Sequence, residues 1–144
     1  MEVTPQFKRI LSIDFGLKRI GLALTDPLKT FAYPFETISN DKNFWVNLSK
    51  VIQAQEIEKI VLGYPTKEDG SDSHITKNVL SFKSTLEKKF QLEVILWDER
   101  YSSSIAQEII MQTVNKKSRR REKGLVDRGA AAVILQEYLD SLLN

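Results

Sequence analysis

Residues 9–15, Arg-Ile-Leu-Ser-Ile-Asp-Phe, and residues 20–25, Ile-Gly-Leu-Ala-Leu-Thr, are apolar runs separated only by Gly16-Leu17-Lys18-Arg19. Each run has the length and alternation of a strand, and the four residues between them resemble a turn. The chain therefore opens its fold with a hairpin, and a hairpin sets the first strands antiparallel. In the second strand Ile20, Leu22 and Leu24 share one face, while the other carries Gly21, Ala23 and Thr25, all small. A third, shorter strand is expected over residues 30–38, and Pro34 within it assigns it to an edge of the sheet.

From Ser39-Asn40-Asp41, a set of good helix caps, the spacing changes. Phe44, Leu48, Val51, Ile52 and Gln55 follow the helical rule i, i+4, i+7, i+8, i+11. Residues 59–65 form a short, wholly apolar strand of the kind covered on both faces. A loop over 66–73 leads to a helix through Ile75, Val79, Phe82, Leu86 and Phe90. Residues 92–100 read as a strand, 102–114 as a helix starting on serine caps, and 125–143 as a final helix. The expected architecture is α/β: a mixed five-stranded sheet with its first three strands antiparallel and helices on both faces. With 144 residues and no repeat or linker, the whole span 1–144 is expected to be one domain.

Composition narrows the chemistry. The chain has no cysteine, which excludes disulfides and thiolate metal sites and suits a reducing cytosol. Residues 1–9 lack the apolar region of a signal peptide, and no later segment reaches the roughly 18 apolar residues of a membrane span, so no membrane association is expected. The net charge is only +2, yet residues 116–123, Lys-Lys-Ser-Arg-Arg-Arg-Glu-Lys, carry six positive charges and one negative. The rest of the chain is thus net negative. A basic run of this kind is often merely a solvated loop, but its concentration just before Asp127 points to contact with a polyanion backbone through Arg119, Arg120 and Arg121.

Three acidic positions stand where a sheet would present them. Asp14 lies between Ile13 and Phe15, and a carboxylate in apolar surroundings is costly unless paired, hydrogen-bonded or holding a metal. Asp98 and Glu99 close the strand over 92–100, at the end where α/β sheets place their ligands. Asp127 begins the last helix, with Ala131, Ile134 and Tyr138 at i+4, i+7 and i+11, so the docking stripe of that helix leads to its carboxylate. Each has a plainer explanation: a helix-dipole complement for Asp127, an ion pair with Arg100 for the strand-end acids. Those explanations leave unexplained why all three fall where one sheet could gather them. The single histidine, His74, lies in a polar stretch and reads as solvated. Oxygen-only ligands favour Mg²⁺ or Mn²⁺, and two such ions about 4 Å apart clamp the attacking and leaving oxygens of a phosphodiester. Metal-dependent phosphodiester cleavage is the chemistry this set specifies best. Gly16 and Gly21 would either form tight turns or let a phosphate approach the backbone, with Lys18 and Arg19 beside it. Trp45 and Trp97 fall on apolar stripes and are expected in the core.

The stretches SIDFGLKRIGLALTD, IVLGYPTKEDGSDS, DERYSS and VDRGAAAVILQEYL resemble, in order and spacing, the motifs of the YqgF/RuvX family, over residues 8–139. The resemblance implies an RNase H-like fold related to RuvC resolvases. It also implies a bacterial, cytoplasmic nuclease maturing the 5′ end of pre-16S rRNA on ribosomal precursor particles, with Holliday junction resolution in branched DNA as the alternative. By position it makes Asp14, Glu99 and Asp127 the catalytic metal ligands, with Asp98 as the alternative to Glu99. It puts Lys18, Arg19 and Arg100 near substrate phosphates. Where the family commonly shows threonines after that arginine, this chain has Ser102 and Ser103, which keep the hydroxyls. Two other classes stay in view. A phosphate-handling ATPase would need two such domains where this chain has room for one, and a non-catalytic ribosome-assembly module would keep the fold without the chemistry. RNA or DNA as substrate, and monomer or homodimer as the working form, are left open by the sequence.

Overall fold

The computed structural model describes residues 8–64, 74–98 and 123–143. Among them the order is β1 (Arg9–Asp14), β2 (Arg19–Thr25), β3 (Ala32–Ser39), α1 (Phe44–Ala54), β4 (Ile57–Tyr64), α2 (His74–Phe90), β5 (Glu93–Asp98) and α3 (Lys123–Ser141). The helix expected over 102–114 lies outside the described residues. So do Glu99, Arg100, Arg119, Arg120 and Arg121.

The strands form one sheet in the order β3-β2-β1-β4-β5. β2 runs antiparallel to both of its neighbours, β1 and β3, while β1, β4 and β5 run parallel. The hairpin-led mixed sheet is the expected one, and β3 is indeed an edge. There Leu22 lies opposite Glu36 and Ala23 opposite Pro34, so Phe35 is the extra residue of a bulge. An outer strand is where a residue without an N–H does least harm to the ladder.

Strict alternation divides the core in two. Leu11, Ile13, Ile20, Leu22, Leu24, Ile60 and Leu62 pack with Phe44, Leu48 and Val51 of α1 and Val79, Phe82 and Leu86 of α2. The opposite face of the same strands supplies Ile10, Ala23 and Val61, which pack with Ala131, Ile134, Leu135, Tyr138 and Leu139 of α3. Trp45 packs against the first cluster and Trp97 against the second, so both are partly core as expected. The second face is built from small residues on β2 because a helix lies close over it. On that face Ser12, fully buried, donates to the Ala131 carbonyl of α3 at 2.8 Å.

Two local details differ from sequence expectation. The N-cap of α1 is Asn43, which makes no side-chain cap bond; of Ser39-Asn40-Asp41 only Asp41 serves the helix entry, its Oδ1 accepting the Asn43 N–H at 2.9 Å and its carbonyl the Phe44 N–H at 3.0 Å. Asn40 is used instead to hold the β1–β2 turn, its amide N–H donating to the Lys18 carbonyl at 2.9 Å and its Nδ2 to the Gly16 carbonyl at 3.0 Å. The β2–β3 connection is organised by Asp26. Its carboxylate accepts the Thr30 and Phe31 N–H groups at 2.7 and 2.8 Å and the Thr30 hydroxyl at 2.8 Å. Slight burial works against ionisation of Asp26, but these bonds outweigh it and hold the carboxyl below its ordinary value of 3.8.

Candidate functional site

The parallel strands β1, β4 and β5 end side by side, with Asp14 opposite Gly63 and Gly63 opposite Trp97. Residues directly opposite one another in a sheet share a face. Trp97 packs against the α3 cluster and makes an edge-on ring contact with Tyr138. Ser12, two residues before Asp14, reaches Ala131. Asp14, half-buried at the end of β1, therefore belongs to the face covered by α3.

The other neighbour of Asp14 is Gly21. A Cβ on Gly21 would stand 2.2 Å from the Asp127 carbonyl oxygen, 2.3 Å from its carbon and 2.7 Å from the Arg128 nitrogen. Only a residue without a side chain lets the helix come down at this point. The main chain of Asp127 thus rests on the residue beside Asp14, about one strand spacing (~5 Å) away. α3 then runs back along β1, placing Ala131 over Ser12 one turn later. The apolar stripe of Ala131, Ile134 and Tyr138 is buried as the spacing required, and Asp127 leads it to the strand ends.

Arg19, the first residue of β2, donates from Nε to Asp127 Oδ2 at 2.9 Å. The two side chains are 39% and 24% exposed. Lys18, next to it in the turn, is exposed. Gly16 has a different use: a Cβ there would meet the Arg19 carbonyl oxygen at 2.3 Å, so it serves the tight turn. The two glycines are accounted for by the turn and by the helix approach.

Asp98 falls on the wrong side. It follows Trp97 by one residue and shares the parity of Val94 and Leu96, which pack against the α1–α2 cluster. It is exposed there, across the sheet from the face of Asp14 and Asp127. Among the described residues no group of three or more acidic, histidine or cysteine side chains is assembled. The structure brings Asp14, Asp127, Arg19 and Lys18 to one end of the sheet and turns Asp98 away from it. Glu99, Arg100 and the arginines of 119–121 lie outside the described residues. Sequence reasoning gave no weight to Ser12, which braces α3, and took Asn40 for a helix cap where it braces the turn. For Ser12 the signal was available, a polar residue at i−2 from Asp14 on an otherwise apolar strand.

Comparison with known proteins gives a consistent result. The family profile described as RuvX, Holliday junction resolvase, matches residues 8–141. A protein of Chlorobaculum tepidum named "Putative pre-16S rRNA nuclease" is 42% identical over 135 residues, covering 93% of this chain and 94% of that one. One of Caldicellulosiruptor bescii with the same name is 37% identical over 136 residues, covering 92% and 96%. Among solved structures, Thermus thermophilus RuvC in complex with a Holliday junction substrate superposes with a TM-score of 0.59 at 14% identity, over 95% of this chain and 96% of that one. The fowlpox virus resolvase, in a complex with Holliday junction DNA, also gives 0.59 at 14%, over 94% and 99%. At such identity the likeness is one of fold, and the fold is the RNase H-like one.

Proposed function

The chain belongs to the RuvX family, and from that premise we propose that it is an endonuclease cleaving phosphodiester bonds in structured nucleic acid, with the 5′ region of precursor 16S rRNA as its substrate. The observation that carries the reading is the seating of Asp127 on Gly21, the cross-strand neighbour of Asp14. That arrangement puts two carboxylate-bearing positions at one end of the sheet, with cations around them. The substrate follows the names of the relatives at 37–42% identity. The family's description and the shared fold favour a second reading, a four-way DNA junction.

We assign Asp14, Glu99 and Asp127 as the holders of Mg²⁺ or Mn²⁺. The donor chemistry fits such an ion: the chain offers no thiolate and one histidine, whereas carboxylate oxygens suit hard cations. Glu99 is chosen over Asp98 because Asp98 has the parity of the opposite face. Bound there, the ions supply the charge neutralisation that in-line displacement at phosphorus requires. Asp14, fixed at a strand end, gives the site a rigid anchor. Lys18 and Arg100 meet phosphates flanking the cut, and Arg119, Arg120 and Arg121 track the backbone without reading sequence.

The protein is proposed to act as one domain in the bacterial cytoplasm, as monomer or homodimer, on ribosomal precursor particles. Among the described residues no helix is long and apolar enough to cross a membrane. The test offers the purified protein a precursor-rRNA 5′ fragment beside a four-way DNA junction, with Mn²⁺ and with EDTA. Mn²⁺-dependent cutting of the RNA is expected. Cutting of the junction alone transfers the assignment to DNA, and cutting of neither in any metal leaves a non-catalytic assembly module.

A further inference from the structure

The ion pair between Arg19 and Asp127 has features that a purely structural contact would not need. The backbone of Arg19 is fixed, since it pairs with Ser39 on β3 while Asn40 fastens the preceding turn at Gly16 and Lys18. Its guanidinium is 39% exposed and its partner carboxylate 24% exposed. Both residues are half-buried and the pair remains open to solvent, so water screens it and a competing charge can displace it. Asp127 is also the residue whose main chain rests on Gly21, the cross-strand neighbour of Asp14.

We propose that Arg19 is an exchange cation. It neutralises Asp127 while the site holds no divalent ion, and it passes to a backbone phosphate of the nucleic acid once an ion takes that carboxylate. The inference rests on the metal-site reading above. Its physical reason is charge: a guanidinium and a divalent cation repel one another, so sharing one carboxylate is costly to both. A phosphate removes the conflict, because it brings its own negative charge and matches the planar fork of arginine. Exposed Lys18 lies next in sequence, so the released guanidinium joins a second cation. Ion and nucleic acid then help one another to bind, and by linkage the help is reciprocal.

The experiment compares the parent with Arg19→Gln and Arg19→Lys. Ca²⁺ affinity is read by calorimetry, and binding of a structured RNA fragment by fluorescence anisotropy, in Ca²⁺ and in EDTA. Arg19→Gln should bind Ca²⁺ more tightly, by about tenfold, since a repelling charge is gone. In EDTA its salt slope should match the parent's, because there the parent's arginine is occupied by Asp127, and its RNA affinity should fall only modestly through the carboxylate left without its cation. In Ca²⁺ it should be weaker, with a salt slope lower by about 0.7–0.9, the signature of one lost phosphate contact. Arg19→Lys should restore much of the salt slope. Melting in EDTA confirms that each variant is folded. Ca²⁺ affinity unchanged or reduced in Arg19→Gln, or RNA affinity unchanged in Ca²⁺, overturns the exchange while leaving the metal site standing. A parent that binds RNA but neither Ca²⁺ nor Mn²⁺ overturns the metal site and the exchange together.

Discussion

Replacing Gly21 with alanine tests the link between the sheet and the site. Carbon atoms in good contact sit about 3.5–4.0 Å apart, whereas the added Cβ would start 2.2 Å from the Asp127 carbonyl oxygen and 2.3 Å from its carbon. Both atoms are backbone, so no rotamer change relieves the clash, and α3 has to withdraw by roughly 1 Å. Alanine would bring an entropic gain of about 0.4–1 kcal/mol through the unfolded chain. Overpacking costs about 1–3 kcal/mol, so the net effect is destabilising. For a chain of this size that is a fall in Tm of several degrees. The larger consequence is positional, because a misplacement of about 1 Å at a catalytic group can cost on the order of 10²-fold in rate. Ala23→Gly provides the control: Ala23 is fully buried under the same helix, so its loss destabilises without pushing α3 off the strand ends. Cleavage kcat is measured for both variants well below their melting temperatures. Gly21→Ala should lose about 10²-fold and Ala23→Gly should stay within a few-fold of the parent. Full activity and unchanged Tm in Gly21→Ala would refute the claim that this glycine seats Asp127.

Other expectations follow from single contacts. Ser12→Ala removes the buried bond to the Ala131 carbonyl and should cost about 1 kcal/mol in urea unfolding; no change would mean that the bond does not brace α3. Asp26→Asn weakens the bonds that organise the β2–β3 turn and should cost about 1 kcal/mol at neutral pH. Because the folded-state pKa of Asp26 lies below 3.8, its contribution is present above that value. It is lost as pH falls through the folded value, so parent and variant should converge in acid; a difference that persists there contradicts the assignment. Neutralising Arg119, Arg120 and Arg121 should weaken nucleic-acid binding and lower its salt slope by about two to three units, and an unchanged slope would count against backbone tracking.

How much of this was legible before folding depends on distance along the chain. Alternation of Ile20, Leu22 and Leu24 with Gly21, Ala23 and Thr25 was enough to assign two faces, and Pro34 was enough to place β3 at an edge. Helical spacing from Asp127 to Tyr138 correctly announced which side of α3 is buried. What sequence could not supply were contacts whose partners are remote or compete. Gly21 reads as a glycine suited to a turn or a phosphate, and only the approach of α3, over 100 residues later, shows that it makes room for a helix. The Arg19–Asp127 pair likewise spans 108 positions. Ser39-Asn40-Asp41 looked like a cap because local propensity favoured one; the turn at Gly16–Lys18 claimed Asn40 instead. The family resemblance preferred Glu99 to Asp98, and the register of β5 adds only that Asp98 has the parity of the face away from Asp14.

The central proposition is that the strand-end aspartate is part of a hydrolytic centre rather than a structural acid. Asp14→Asn keeps the size of the side chain and removes its charge. Cleavage of the precursor-rRNA fragment in Mn²⁺ should vanish in this variant while its RNA affinity stays close to that of the parent. A folded Asp14→Asn protein cutting at the parental rate would contradict the account at its root.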